Sequence, residues 1–285
     1  MKYYFLFNPL AGKGKAEGLF RSQNTSEEEV VCADMTEIED YKEFFDTIEK
    51  DDVVIVCGGD GTLNRFVNNI EGLEVKNEIL YFPAGSGNDF MNDLGRVQEG
   101  GSFRVNEYIE NLPIVTIKGK DYRFINGVGF GVDGFVCTEG DRLRNKGKKV
   151  NYTALSVKCL LKFKPVNATV TVDGVTKKYK KVWMTTTMKG RYFGGGMMLA
   201  PDQKRDAEDG KITVLVVHNV GSLKLLTLFP SIFGGKHVKY TKYVEIINGD
   251  NMSVEYDTSC SLQIDGEPMA DIMGYSVETE KKVKA

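Results

Sequence analysis

The sequence predicts an α/β domain with a parallel sheet, followed by a mostly antiparallel β-sandwich domain. In the first part of the chain, apolar runs of strand length alternate with helix-compatible stretches, which is typical of a parallel α/β sheet. After about Leu112 the pattern changes to many short β-rich runs, which favours an antiparallel domain. We therefore expect domains over residues 1–112 and 113–274, with a tail, residues 275–285, that could return to the first domain.

Three apolar runs of the first domain lead directly into glycine-rich loops. These runs cover residues 2–7, 53–57 and 79–82, and residues 38–50 and 61–70 are compatible with helices. The carboxyl ends of parallel strands meet at one edge of an open α/β sheet, where such sheets bind ligands. We therefore expect the three loops to lie together at that edge.

The second domain contains short runs that are typical of strands. They cover residues 114–118, 123–126, 168–172, 180–186, 212–218, 244–247, 252–256 and 261–264. Between two of these runs stand Asp173 and Gly174, a dipeptide that is a strong short-range signal for a β-hairpin.

The composition is that of an ordinary globular protein. The 285 residues include 37 Lys and Arg against 40 Asp and Glu, a formal net charge of −3, and 41% are hydrophobic. These values disfavour a disordered chain, a collagen and a strongly basic nucleic-acid-binding protein. No stretch reaches 18 consecutive apolar residues and no signal peptide is evident, so we expect a soluble, cytoplasmic protein. The five scattered cysteines and two histidines favour neither a disulfide framework nor a metal centre.

The first loop, residues 8–15, places Gly12 and Gly14 between a strand and a helix-compatible stretch. Backbone amides and a helix N-terminus at such a loop could face an anion. The P-loop spacing GxxxxGK[ST] is missing, because neither lysine of this loop is followed by Ser or Thr. Phosphate binding and a plain strand-helix turn are therefore equal alternatives here.

The second loop follows a wholly apolar strand and reads Gly58-Gly59-Asp60-Gly61-Thr62. Its three glycines allow a ligand to approach the backbone closely, and Asp60 supplies a charge suited to hydrated Mg²⁺ or a ribose hydroxyl. The alternative is a turn in which Asp60 or Thr62 caps the following helix. A cap needs one such residue and not three glycines, so the pattern favours a ligand site.

The third loop, residues 83–89, has the same small and polar character, with Gly85, Ser86 and Asn88. An N-cap turn is again the alternative. Three such loops at one sheet edge together favour a ligand site there.

Two acidic segments stand in the second domain. Residues 265–268 read Asp-Gly-Glu-Pro at the end of a strand, and one carboxylate within reach of a nucleophile suffices for a general base. Residues 201–211 contain a cluster of acids, oxygen donors that hard divalent cations prefer. A surface turn and a solvated acidic loop are the respective alternatives.

A basic region covers residues 142–181, with 12 Lys or Arg and one acid. Within it, residues 152–163 interleave apolar residues with Lys158 and Lys162, as an amphipathic helix at a membrane interface would. An anionic membrane attracts such a region by roughly 1 kcal/mol per basic residue near the surface. A core-packed helix with a solvated face is the alternative, and nucleic acid is disfavoured because no aromatic stacking platform is evident.

The combination of motifs resembles the diacylglycerol kinase catalytic-domain family, in particular the bacterial soluble lipid kinases. The resemblance rests on Asn8-Pro9 with the two glycines after it, on residues 58–62, on residues 83–89 and on residues 265–268, in this order along nearly the whole chain. It implies a nucleotide-binding α/β domain, a β-sandwich domain, and an ATP site in the cleft between them.

The resemblance also implies roles for individual residues. The expected nucleotide contacts are Asn8, Pro9, Leu10, Ala11, Gly12, Thr36, Gly58, Gly59, Asp60, Gly61, Thr62, Leu63, Asn64, Arg65, Gly85, Ser86 and Asn88. The expected catalytic residues are Glu267 as the base for the lipid hydroxyl, Asp265 as a supporting acid, and Asp60, which organises the metal–nucleotide complex. A structural Mg²⁺ is expected on Asp206, Asp209 and the backbone carbonyl of Lys211, with Glu208 as a substitute. The family commonly has Glu where this chain has Arg65, which is either a phosphate ligand or a solvated helix residue.

Residues 126–134 contain the GxGxxG spacing of dinucleotide-binding folds after a strand. That fingerprint also needs a second strand that ends in Asp or Glu about 20 residues later. Residues 144–149 are instead basic or polar, so close strand packing, or the wall of a lipid cleft, explains these glycines better.

These observations lead to one principal hypothesis and two alternatives. The principal hypothesis is an ATP- and Mg²⁺-dependent lipid kinase that transfers the γ-phosphoryl group to a lipid hydroxyl, with diacylglycerol as the leading acceptor. Its partners would be a membrane lipid and the anionic inner face of a membrane, without nucleic acid, and a homodimer is left open. The alternatives are a kinase of a soluble substrate such as NAD, and a catalytically impaired regulator that binds nucleotide and lipid.

Overall fold

The chain divides into two units, Met1–Glu110 and Asn111–Ala285. A computed structural model describes residues 1–9, 29–85, 87–96, 101–207 and 209–279. The first unit has a mixed sheet that is parallel apart from one edge, with helices, and the second unit is an antiparallel β-rich unit. This architecture confirms the fold class that the sequence predicts.

The sheet of the first unit contains five strands in the order β2-β1-β3-β4-β5. These strands are β1 (Tyr3–Phe7), β2 (Val30–Asp34), β3 (Val53–Gly58), β4 (Glu78–Pro83) and β5 (Phe103–Arg104). Only β5 pairs antiparallel with its neighbour. The described helices of this unit are α1 (Tyr41–Thr47), α2 (Asp60–Asn69), α3 (Asp89–Leu94) and α4 (Asn106–Ile109).

Strand β3 lies at the centre of this sheet, and all six of its residues are buried. Such a continuous apolar run is typical of a parallel strand that is covered on both faces. Phe5, Ile55 and Phe82 pack together in the core across three neighbouring strands. Because β1 to β4 run parallel, the segments that follow β1, β3 and β4 all start at the same edge of the sheet.

The second unit is built from one large antiparallel sheet and one small one. The strands are β6 (Ile114–Ile117), β7 (Lys120–Arg123), β8 (Gly127–Gly131), β9 (Val166–Val172), β10 (Val175–Met188), β11 (Tyr192–Phe193), β12 (Met197–Met198), β13 (Ile212–His218), β14 (Val244–Gly249), β15 (Asn251–Ile264) and β16 (Glu267–Glu278). The large sheet has the order β14-β13-β10-β8-β15-β16-β6-β7, and β11 pairs only with β12.

Strand β9 pairs with both β10 and β15, the two strands of 14 residues. Each long strand pairs with β9 along its first part and with β8 along its last part. Strands β9 and β10 are joined by Asp173 and Gly174, whose φ angles of 47° and 82° are the positive values that a type I′ hairpin needs. This confirms the predicted hairpin.

Helices cover one face of the large sheet. They are α5 (Val132–Arg144), α6 (Tyr152–Lys162), α7 (Ser222–Leu228) and two 3₁₀ helices, Phe229–Gly234 and Lys236–Lys239. Leu160, Trp183, Leu215 and Leu228 belong to the core between these helices and the sheet. Within the described residues, no helix is both long enough and apolar enough to cross a membrane.

The last strand, β16, continues to Glu278 and pairs with β15 and β6. Residues 275–278 are therefore part of the large sheet, although the sequence left open a return to the first domain. Strand β8, which contains the GxGxxG spacing, is wholly buried. A Cβ at Gly127 would lie 2.7 Å from the carbonyl oxygen of Thr187, so this glycine is explained by close strand packing.

Candidate functional site

The second and third loops of the first unit pack against each other at the sheet edge. Strands β3 and β4 end at Gly58 and Pro83, and the amide of Ala84 donates to the carbonyl of Gly58 at 2.8 Å. A Cβ at Gly59 would lie 3.2 Å from the Cα of Gly85, so both positions need a glycine for this close approach. The structure therefore brings these two predicted loops together.

Asp60 ties the two loops together through its carboxylate. Its Oδ2 accepts from the amide of Asp89 at 2.8 Å and its Oδ1 accepts from the amide of Phe90 at 3.1 Å. Asp60 thus binds the first turn of α3, whereas α2 has Gly59 as its N-cap and no side-chain cap. The alternative expected from the sequence, that Asp60 or Thr62 caps its own helix, is not what the structure shows.

The start of α2 gives this loop pair its capacity to bind an anion. The helix begins at Asp60, directly after two glycines, and spans ten residues. Backbone amides at a helix N-terminus and the positive end of the helix dipole together favour phosphate. We expect a nucleotide phosphate to bind through the backbone here, with the Asp60 side chain holding the loops in place.

The other predicted nucleotide contacts lie in different surroundings. Leu63 is completely buried and Asn64 is 8% exposed, whereas Arg65 is exposed on the same helix. The side chain of Leu63 is therefore not accessible to a nucleotide. The hydroxyl of Thr36 donates to Asp34 Oδ1 at 2.7 Å, just after β2. Thr62 packs directly on Gly58, where a Cβ would clash with its side chain.

Three further predicted contacts lie around these loops. Asn8 follows β1 and Pro9 is exposed beside it. Asn88 precedes α3 in a left-handed conformation with φ of 50°, and its buried Oδ1 accepts no hydrogen bond from the described residues. This buried oxygen is therefore available to a donor. Gly61 lies in α2, and the predicted contacts Leu10, Ala11, Gly12 and Ser86 lie outside the described residues.

Asp265 has a structural position in the second unit. Its buried carboxylate accepts backbone hydrogen bonds from Ile125 at 2.6 Å, Asn126 at 2.8 Å and Gly127 at 3.0 Å. The buried guanidinium of Arg205 binds the carbonyl of Ile125 and the side chain of Asn126. Asp265 thus anchors the segment before β8, and its expected role as a supporting acid stays a prediction.

Glu267 is exposed at the first position of β16. The turn before it contains Asp265 and Gly266, with φ angles of 45° and 97°, and closes the hairpin between β15 and β16. Because the carboxylate stands at the tip of a hydrogen-bonded hairpin and is open to solvent, it can accept a proton from a bound alcohol.

Asp133 is a buried acid that the sequence analysis missed. It lies in the first turn of α5 and is 8% exposed, and its Oδ2 accepts from Gln263 Nε2 at 3.0 Å. Burial raises its pKa to about 6, although the hydrogen bond from Gln263 acts in the opposite direction. A Cβ at Gly129 would overlap this carboxylate, so the glycines of the GxGxxG spacing were the available signal.

A cavity of about 750 Å³, including the part open to solvent, lies beside Asp133 between the helices and the large sheet. Its lining is mostly apolar and includes Leu160, Val217, Leu228 and Ile232. Concave sites with apolar walls and a few polar groups are typical of ligand binding. This cavity lies entirely within the second unit.

The acidic segment at residues 201–211 carries the ligands expected for a structural Mg²⁺. Asp206 and Asp209 are exposed, and Asp209 pairs with Lys211 Nζ at 3.5 Å. The carbonyl of Lys211, an expected metal ligand, accepts from Gln203 Nε2 at 2.9 Å. No group of three or more His, Cys, Asp or Glu in the described parts of the chain could hold a metal ion. The expected structural Mg²⁺ on Asp206, Asp209 and the Lys211 carbonyl therefore stays a prediction, and its substitute ligand Glu208 lies outside the described residues.

Comparisons with known proteins match both units. Residues 2–112 match the family model "Diacylglycerol kinase catalytic domain", and residues 126–279 match the model "YegS C-terminal NAD kinase beta sandwich-like domain". A diacylglycerol kinase of Mycobacterium tuberculosis is 26% identical over 227 residues, which cover 74% of this chain and 72% of that protein. YtlR of Bacillus subtilis, named as a lipid kinase candidate, is 24% identical over 270 residues, which cover 83% of this chain and 84% of that protein.

A solved structure also resembles the whole chain. The crystal structure of a diacylglycerol kinase from Bacillus anthracis superposes with a TM-score of 0.63 at 18% sequence identity, over 98% of this chain and 93% of that chain. At this level of identity, the likeness concerns the fold alone.

Proposed function

Because the chain belongs to the diacylglycerol kinase catalytic-domain family, we propose that it is an ATP-dependent kinase that phosphorylates a lipid hydroxyl. Diacylglycerol, which would become phosphatidic acid, is the leading acceptor. The main observation in favour of a lipid acceptor is the apolar cavity of the second unit, the unit that also contains Glu267. A soluble acceptor such as NAD would leave this apolar wall without a function.

The phosphoryl donor in this proposal binds the loop pair of the first unit. The glycines at 59 and 85 let the two loops approach each other closely, and Asp60 keeps these loops together beside the N-terminus of α2. Mg²⁺ enters the proposal as part of the MgATP substrate, whose phosphate charge it neutralises.

The transfer itself needs one group that accepts a proton. The bond between the γ-phosphorus and its bridging oxygen breaks, a new bond forms between this phosphorus and the lipid oxygen, and ADP leaves. The proton of the lipid hydroxyl passes to the carboxylate of Glu267. General base assistance of this kind contributes about 10²- to 10⁴-fold to the rate.

The experiment combines a panel of acceptors with one substitution. Purified protein is incubated with γ-labelled ATP, Mg²⁺ and vesicles that contain diacylglycerol, other lipid alcohols or no acceptor, and with NAD in a separate arm. Glu267→Gln should lower kcat at least about 100-fold and leave the dissociation constant of ATP unchanged, because a general base acts on the acceptor. Glu255→Gln, an exposed change on β15, is the control.

Label in NADP alone would contradict the lipid acceptor, and nucleotide binding without any transfer would favour a regulator. A Glu267→Gln enzyme with normal kcat would remove Glu267 from the role of base.

We also propose that the helical face of the second unit rests on an anionic membrane. Val157 and Leu161 on α6 and Leu223 on α7 are 37%, 59% and 76% exposed. Lysines interleave with these apolar residues, and the stretch 212–244 contains four lysines and no acid. Exposed apolar residues among cations suit the boundary between anionic headgroups and acyl chains.

A further inference from the structure

The acidic segment of the second unit buries an arginine to which the proposed reaction assigns no role. Arg205 is 8% exposed and Gln203 is buried beside it, whereas Asp202, Lys204 and Asp206 are exposed. A buried cation is unfavourable unless hydrogen bonds replace those that it made to water. The burial of Arg205 within an otherwise solvated segment is therefore explained by what its guanidinium binds.

The guanidinium of Arg205 binds a short stretch of chain just before β8. Its Nη1 donates to the carbonyl of Ile125, and its Nη2 donates to Asn126 Oδ1 at 2.8 Å. Ile125 is completely buried and Asn126 is 1% exposed, so both hydrogen bonds are shielded from water. A charge-assisted hydrogen bond in such surroundings is stronger than the same bond at the surface.

Asp265 binds the same stretch from the opposite side. The amide of Asn126 donates to Asp265 Oδ1 at 2.8 Å, and this amide belongs to the peptide unit whose carbonyl is that of Ile125. Arg205 and Asp265 therefore hold the C=O and the N–H of one peptide unit, which point in opposite directions in a trans peptide. A cation at the oxygen and an anion at the N–H polarise the unit in the same sense, so each hydrogen bond strengthens the other.

Asn126 is held from three sides in this arrangement. Its amide binds Asp265, its side-chain oxygen binds Arg205, and its carbonyl accepts from the amide of Lys189 at 2.9 Å. The amide of Asp265 in turn donates to the carbonyl of Gly127 at 3.1 Å. The acidic segment, the stretch before β8 and the turn at Asp265 are thus joined by buried hydrogen bonds.

The turn at Asp265 needs this support because its backbone is strained. Asp265 has a φ of 45°, in the left-handed region that residues other than glycine adopt only where their surroundings hold them. Gly266 follows it, and Glu267 is the first residue of β16. Because Glu267 is two residues from Asp265, a change of the backbone at Asp265 also moves Glu267.

We propose that Arg205 is a positioning residue for the phosphoryl transfer, which keeps Glu267 within reach of the acceptor hydroxyl by holding the peptide unit that Asp265 binds. The proposal rests on the kinase function proposed above, with Glu267 as the base, and adds a residue that acts through the backbone. Arginine suits this role because its planar fork reaches two acceptors at fixed positions, whereas lysine is a point charge on a flexible stem. A displacement of about 1 Å at a reacting group can lower a rate about 100-fold.

Arg205→Lys keeps the charge and removes the fork. It should lower kcat for transfer to the lipid about tenfold and leave KM for the lipid and the dissociation constant of ATP unchanged, because only the alignment of the base changes. The control is Arg123→Lys, since the guanidinium of the half-buried Arg123 also donates to a carbonyl, that of Leu112 at 2.9 Å, outside the peptide unit that Asp265 holds. Equal kcat values of the two variants would overturn the proposal.

A double substitution tests whether Arg205 acts through Glu267. In a Glu267→Gln background, Arg205→Lys should cause no further loss of kcat, because no base is left to align. A further loss of about tenfold in this background would overturn the proposal, since Arg205 would then act on the reaction independently of the base.

Hydrogen exchange tests the same connection in the wild-type protein. The amides of Gln203, Asn126 and Asp265 are hydrogen-bonded in the acidic segment, before β8 and in the turn, respectively. If Arg205 joins these three places into one unit, their amides should exchange through a common opening with one free energy at low urea concentrations. In Arg205→Lys, exchange at Asn126 and Asp265 should become at least about tenfold faster, whereas Val214 in the middle of β13 should keep its rate.

The exchange measurements separate this proposal from the kinase function. Unequal opening free energies in the wild type would overturn the role of Arg205 even if Arg205→Lys does not fold. A protein that phosphorylates lipid, with unchanged kcat and unchanged exchange in Arg205→Lys, would overturn the positioning role and support the kinase function. A protein that transfers phosphate to no lipid but opens at these three places together would contradict the kinase function and support the connection of Arg205 to the turn.

Discussion

The buried carboxyl of Asp133 should make the protein less stable than the same fold with asparagine at this position. Burial raises the pKa of Asp133 from 3.8 to about 6, so the folded state holds a proton that the unfolded chain releases. For an acid whose pKa is higher in the folded state, stability falls as the pH rises from the unfolded pKa through the folded pKa. At about 1.4 kcal/mol per pKa unit, the full penalty is about 3 kcal/mol above pH 7.

Asp133→Asn removes this penalty and keeps an oxygen that can accept from Gln263. The two pKa values imply a gain in the free energy of unfolding of about 1.5 kcal/mol at pH 5 and about 3 kcal/mol at pH 8. Urea unfolding followed by Trp183 fluorescence measures the second unit alone, because Trp183 is the only tryptophan and is buried there. Asp121→Asn should show no gain at either pH.

A gain that is equal at the two pH values, or a loss of stability at pH 8, would refute the assignment of a raised pKa to Asp133. A variant that is more stable at pH 8 but has a lower kcat/KM in the kinase assay would show that the wild-type residue is retained for function. Such a trade between stability and activity is common at binding sites.

Three other substitutions test the loops, the hairpin turn and the membrane face. Gly85→Ala places a Cβ against the facing loop and should weaken ATP binding at least about tenfold. The control is Gly221→Ala, where a Cβ meets nothing within 4 Å and ATP binding should not change. Equal ATP affinities of the two variants in a nucleotide titration would contradict the close loop contact. In Asp265→Asn, the asparagine can adopt the same left-handed backbone but weakens the three charge-assisted hydrogen bonds of the carboxylate. The free energy of unfolding in urea should therefore fall by about 2 kcal/mol. An unchanged urea midpoint would argue against Asp265 as an anchor. Leu161→Glu should reduce sedimentation with anionic vesicles about tenfold. Val175→Glu, an apolar residue that is 75% exposed next to the turn between β9 and β10, is the control that should bind normally, and parallel losses would contradict a specific face.

The strands that the sequence predicts correctly have a strong local signal. β3 is a continuous apolar run and the hairpin at Asp173 and Gly174 has residues that tolerate positive φ, so both features are decided by neighbours in sequence. β2 and β8 were missing from the predicted runs. β2 is only partly buried, and β8 consists of alternating glycines that have little intrinsic preference for a strand. They become strands because pairing with neighbouring strands satisfies their backbone groups.

In the candidate site, too, some features follow from the local sequence and others only from the tertiary structure. The glycine-rich loops at the edge of the first sheet follow from the sequence, since parallel strands end on one side. The partners of Asp60 and Asp265 do not, because Asp60 binds amides 29 and 30 residues away and Asp265 binds amides about 140 residues away. A carboxylate in a glycine turn looks the same in sequence whether it faces a ligand or a distant backbone.

By itself, the sequence determined the α/β and antiparallel β classes, the glycine-rich loops and the acidic hairpin turn, because each depends on residues close together in the chain. The tertiary structure decided that Asp60 joins two loops, that Asp265 is an anchor, and that Asp133 and His237 share an apolar cavity. Burial and the enclosure of a cavity are produced by segments far apart in the sequence. The pKa of Asp133 depends on that burial, and no local pattern encodes it.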